Sequence, residues 1–68
     1  METSLRNHLK GKIPQIVEGS VVSELELETS IGIITSVITT RSVTDMGLSV
    51  GQEVCAVIKA TEVGIERC

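Results

Sequence analysis

The chain has 68 residues, 28 of them apolar, with no Phe, Tyr or Trp and a formal charge of −3 from six basic and nine acidic side chains. That length allows one small domain over residues 1–68. A core without aromatics buries little area per residue, so association between copies is the expected source of further stability. An acidic chain with no stacking side chains is a poor partner for nucleic acid, and no apolar run approaches the roughly 20 residues of a membrane helix.

Nine Val, eight Ile and seven Thr make a third of the chain β-branched, which points to strands. The opening residues 1–11 carry Ser4, Arg6, Asn7, His8 and Lys10 around only a few apolar positions. Residues 12–17 read as a strand, with Pro14 requiring an edge or a bulge because it has no ladder donor. Glu18-Gly19-Ser20 is a turn. Residues 21–28 then alternate: Val21, Ser23, Leu25 and Leu27 fall on one face, and Val22, Glu24, Glu26 and Glu28 on the other. Period two marks a half-buried strand with a solvated acidic face. After Thr29-Ser30, residues 31–39 form a strand that is apolar on both faces, which suggests cover on both sides, one of them by another subunit. Thr40 to Leu48 reads as a short helix with Gly47 just past its end. Residues 49–52 turn the chain, residues 53–60 form a strong strand with Cys55 packed in it, and residues 63–67 form a short last one. Five short strands and one helix predict an all-β fold, a small barrel of the oligonucleotide/oligosaccharide-binding type.

Nothing in this pattern supplies catalysis. His8 has no spaced partner, and no nucleophile elbow, phosphate loop or carboxylate pair is present. Cys55 and Cys68 have neither disulfide nor metal-ligand spacing and read as free thiols in a cytoplasmic protein. Residues 1–20 lack the apolar core of a signal peptide. The hydroxyl and cationic groups are more telling. Ser4 and Arg6, two apart in an extended segment, project to one side. Thr39 and Ser42 flank a strand-to-helix junction where backbone N–H groups are free, a setting suited to anions. Lys59 sits inside the apolar run Val54–Ala60, where a surface lysine is less expected. Each has an ordinary alternative: a polar terminus, a helix cap, and a snorkelling lysine.

Three blocks, taken together and in order, resemble a known family. Ser4-Leu5-Arg6-Asn7 with Leu9 and Gly11, then Ile38-Thr39-Thr40-Arg41-Ser42-Val43 with Met46-Gly47-Leu48, then Val57-Ile58-Lys59-Ala60-Thr61-Glu62-Val63 resemble the conserved segments of Mop/TOBE molybdate-binding domains. A chain with one such domain resembles the molbindins. The resemblance implies a five-stranded TOBE barrel, binding of molybdate and of tungstate, and a homohexamer built as a trimer of dimers with oxyanions held between subunits. It implies that Ser4 and Arg6, Thr39 and Ser42, and Lys59 with the backbone N–H of Ala60 are the donors. Leu5 stands where the family often has Ala, and its side chain is expected to point away from the ligand. Met46 replaces a Leu, a volume-conserving change. Molybdate already carries four oxo groups, so it needs hydrogen-bond donors rather than metal ligands, and no cofactor is expected. The expected role is cytoplasmic storage of the oxyanion. The alternative is an assembly module of the same fold, structural or regulatory, without a ligand of its own.

Overall fold

The computed structural model describes residues 3–68; residues 1 and 2 of the expected domain lie outside the described residues. Four strands, β1 (Asn7–Glu18), β2 (Val22–Thr29), β3 (Gly32–Thr39) and β4 (Glu53–Ile58), form one antiparallel sheet in the order β3-β2-β1-β4. Helix α1 (Thr40–Met46) follows β3, and a 3-10 turn, Ala60–Glu62, follows β4.

β1 is longer than expected. It begins in the polar opening segment at Asn7 and runs through residues 12–17 to Glu18. It is also the strand that pairs on both sides, with β4 along its first half and β2 along its second. Pro14 is tolerated there by a bulge. The register with β2 passes from Lys12↔Glu28 to Gln15↔Glu26, so Ile13 and Pro14 together stand opposite Leu27. Ile13 turns its backbone the other way, donating to Gln52 O at 3.1 Å and accepting from Gly51 N at 2.7 Å. The bulge also shifts the inward phase. Gly11 and Ile13 are buried before it, and Ile16 faces inward after it. Gly11 is required by close approach, because a Cβ there would lie 2.6 Å from the Glu28 carbonyl oxygen.

The alternation in β2 matches expectation, with Ser23, Leu25 and Leu27 buried and Glu24 and Glu28 exposed. Val21 falls outside the strand and is exposed. The β2–β3 turn is Ser30-Ile31, one residue later than expected, with Thr29 paired to Gly32. Helix α1 has both expected ends. Thr39 Oγ1 accepts from Ser42 N at 3.1 Å, and Gly47 adopts the left-handed conformation at φ 63°. Gly47 N donates to Thr44 O and Leu48 N to Val43 O, which satisfies the last carbonyls of the helix.

Ile13, Leu25, Leu27 and Val43 form the core, with Ile16, Ile34, Ile38, Leu48, Val54 and Ala56 packed around it. The one buried polar side chain among the described residues, Ser23, hydrogen bonds Thr40 Oγ1 at 2.8 Å, and Thr40 in turn donates to Gly19 O at 2.7 Å. Because the Thr40 proton is committed to that carbonyl, Ser23 is the donor of the pair. This network ties the helix start to the turn between β1 and β2.

Three expectations need correction. The fifth strand over residues 63–67 does not form. The 3-10 turn carries the chain off the sheet after Ile58, leaving Val63 and Ile65 exposed without a ladder partner. The last strand therefore ends two residues early, so Lys59 and Ala60 lie beyond it. Cys55 lies in β4 but on its outer side, and it is exposed rather than packed. The barrel is accordingly a curled sheet with two free edges. Between those edges, β3 and β4 border an apolar groove of about 370 Å³. The outer face of β3, with Ile33 and Val37, is exposed within the single chain. No helix among the described residues is long and apolar enough to cross a membrane.

Candidate functional site

The six candidate donors fall into two groups. The first stands at the open end of the β1–β4 ladder. The last rung pairs Asn7 with Ile58, so Arg6 and Lys59 are the next residue on each strand and leave the sheet side by side. Ser4 and Arg6 are exposed while Leu5 between them is half-buried, the alternation expected of an extended segment whose middle side chain turns inward. Lys59 is exposed and extended, with φ −65° and ψ 139°, and precedes the 3-10 turn. The first bond of that turn runs from Glu62 N to Lys59 O, so the N–H of Ala60 has no partner within the turn and remains a donor. Two local bonds shape the opening segment: Leu5 N donates to Thr3 Oγ1 at 3.1 Å, and His8 Nε2 donates to Leu5 O at 3.0 Å.

The second group stands at the β3–α1 junction. Thr39 Oγ1 and Ser42 Oγ lie 2.8 Å apart, and the Ser42 N–H also points at Thr39 Oγ1. The two hydroxyls have two protons between them and spend one on each other, so one O–H is left for a ligand whichever way the bond runs. The junction is preorganised, and its two hydroxyls are neutral. Arg41 borders the same shallow hollow as Thr39, together with Ser20 and Val21. Arg41 was not among the expected donors. The signal that could have found it is its place between Thr39 and Ser42 at the start of a helix.

In the flattened sheet the two groups are diagonal: Thr39 pairs with Val22 near the end of β1, and Lys59 follows Ile58 at its beginning. Ile38 and Ile58, the residues just before Thr39 and Lys59, both line the groove between the sheet edges. The two donor groups thus lie at the C-terminal ends of the two strands that border it. Among the described residues, no group of three or more His, Cys, Asp and Glu side chains could hold a metal ion.

Comparisons with known proteins agree with this fold. The TOBE domain model matches residues 3–65. The chain is 44% identical over 66 residues to molybdenum-pterin-binding protein 3 of Clostridium pasteurianum, covering 96% of this chain and 97% of that protein. A molybdate-binding protein from Sporomusa ovata superposes with a TM-score of 0.95 at 33% identity, covering 98% of this chain and all of that one. The cytoplasmic molybdate-binding protein ModG, in a form with molybdate bound, gives a TM-score of 0.82 at 39% identity over 88% of this chain and 43% of its own. With a family model matched across nearly its whole length and relatives aligned end to end, the chain belongs to the TOBE domain family.

Proposed function

We propose that residues 1–68 act as one domain that binds molybdate, and tungstate with little discrimination, as a cytoplasmic store and without catalysis. The donors are Ser4, Arg6, Lys59 and the N–H of Ala60 in one half-site, and Thr39 and Ser42 in the other. The observation that carries this reading is the terminal Asn7↔Ile58 rung, beyond which Arg6 and Lys59 follow, in a fold shared with the molybdate-binding protein of Sporomusa ovata and with ModG.

The energetics are compatible. Taking a dianion out of water costs several kcal/mol per charge before compensation. Each charge-assisted hydrogen bond returns about 1.5–3 kcal/mol, so roughly six donors give a favourable balance. One copy divides those donors between two half-sites, so a full shell requires half-sites from neighbouring copies. The free β3 and β4 edges, the apolar groove between them and the exposed Val63 and Ile65 support such assembly, for which a homohexamer built as a trimer of dimers is the proposed form. Cations from several copies meeting near an axis would repel until an oxyanion neutralises them, so ligand and assembly stabilise each other. Sulfate has the same shape and charge with shorter bonds, so a rigid donor shell rejects it by leaving some donors unmet.

A second reading takes its cue from the relatives' name, which couples molybdenum to a pterin. A pterin ring calls for a flat stacking surface, and the chain has no aromatic residue to provide one. The inorganic oxyanion is therefore the better fit.

Native mass spectrometry with and without molybdate tests the proposal and needs no chromophore. A hexamer gaining discrete increments of oxyanion mass is the expected result. A monomer or dimer gaining none would overturn it and leave an assembly module of the same fold.

A further inference from the structure

The alternation along β1 puts Asn7 in phase with Leu9, Gly11 and Ile13, the inward-facing series. Its partner Ile58 is likewise in phase with Val54 and Ala56, the half-buried residues of β4. An aliphatic side chain would continue this pattern. An amide stands there instead, and its Nδ2 donates to Ile58 O at 3.1 Å. The ordinary role of such a bond is to close the end of a sheet. Its position suggests more, because it joins the two chain segments that carry Arg6 and Lys59.

Ile58 O belongs to the same planar peptide unit as the N–H of Lys59. Holding that carbonyl sets the plane from which Lys59 departs and the direction in which the Ala60 turn begins. On the other strand, Asn7 adjoins Arg6, and the His8 ring holds the Leu5 carbonyl just before it. One side-chain amide thus fixes the spacing between the two cationic arms of the half-site. We infer that Asn7 is a positioning residue for oxyanion binding, acting through the Ile58 carbonyl to hold the Arg6 and Lys59 segments at one separation. This rests on the proposed molybdate function and concerns how its cationic half-site is set. A tetrahedral ion is compact, so two arms that drift apart cannot both reach it, and fixed spacing makes the second contact intramolecular.

The test is a double-mutant cycle read by isothermal titration with sodium molybdate on wild type, Asn7→Leu, Lys59→Ala and the pair. Asn7→Leu keeps the size and suits the inward face while removing the donor. It is expected to weaken binding roughly tenfold, as loss of an outer-shell partner does at metal sites. The melting midpoint of the ligand-free protein should stay within a few degrees of wild type. The decisive readout is coupling: with the arms already uncoupled, Lys59→Ala should cost clearly less in the Asn7→Leu background than in wild type. Wild-type affinity in Asn7→Leu, or losses that simply multiply, would overturn the inference while leaving molybdate binding intact. If wild type itself binds no molybdate, the functional reading fails and this inference with it. Should Asn7→Leu not assemble, Asn7→Ser, a smaller polar replacement that cannot span to Ile58 O in the same way, carries the same cycle.

Discussion

At the end of the β1–β4 ladder, Arg6 and Lys59 are long, charged and exposed, and what orders them is the backbone beneath, held by Asn7 and His8. At the β3–α1 junction, Thr39 and Ser42 are short, neutral and already bonded to each other, Thr39 as the helix cap and Ser42 within the first turn. The first region has charge to offer and must be held in place. The second is held in place by the fold and offers one O–H. For a dianion these are complementary: the ladder end offers two adjacent cations, and the junction, bordered by Arg41, offers a geometrically defined hydroxyl pair. The contrast also explains how an acidic chain can hold an anion. Net charge governs long-range steering, whereas the site depends on which charges are adjacent.

The sharpest way to break this comparison is to remove the charge. Arg6→Ala combined with Lys59→Ala should weaken molybdate binding by about a hundredfold or more, if each lost charge-assisted contact is worth about 1.5–3 kcal/mol. Titration calorimetry checks this, and near-wild-type affinity would remove the cationic end from the site. Gly11→Ala should act on both regions together, because Gly11 pairs with Thr29 on one side and Val54 on the other. The added Cβ presses on the Glu28 carbonyl. Overpacking of this kind costs roughly 1–3 kcal/mol. At this chain length, each kcal/mol lowers the melting midpoint by about 4–8 °C. A binding defect without a fall in midpoint would contradict a purely packing role for Gly11.

Thr39→Ala should lower stability by about 1 kcal/mol through loss of the cap, and Thr39→Ser should restore it. Binding should fall less for Thr39→Ala than for either cation variant; an equal fall would mean the junction carries more than one hydroxyl's share. The smallest effect concerns salt. Raising NaCl from about 0.05 to about 0.5 M shortens the screening length, so wild-type affinity should fall by several-fold. The variant lacking both cations should respond less, and equal salt responses would show that the charge acts elsewhere.

Much of the fold was legible because it depends on local rules. Alternation in β2 located Ser23, Leu25 and Leu27, a Thr and a Gly marked the two ends of α1, and a proline marked the bulge. The last segment was misread for the same reason. Val63, Gly64 and Ile65 have strand composition, but a strand also needs a neighbour, and the turn at Ala60–Glu62 directs them away from the sheet. Cys55 shows the same limit: membership of a strand was legible, but the face that a neighbour would cover was not.

By itself the sequence determined the periodicities, the caps, the absence of Phe, Tyr and Trp and the membership of the family. All of these are properties of residue types at short spacing. Only the tertiary structure decided that Arg6 and Lys59 follow one ladder end, that Ser23 of β2 bonds Thr40 at the helix start, and that β3 and β4 border one apolar groove. Those relations join residues far apart in the chain. They depend on strand register, on the bulge that reorients β1 and on the sheet's coil, which are set by packing around Ile13, Leu25, Leu27 and Val43 rather than by any local pattern.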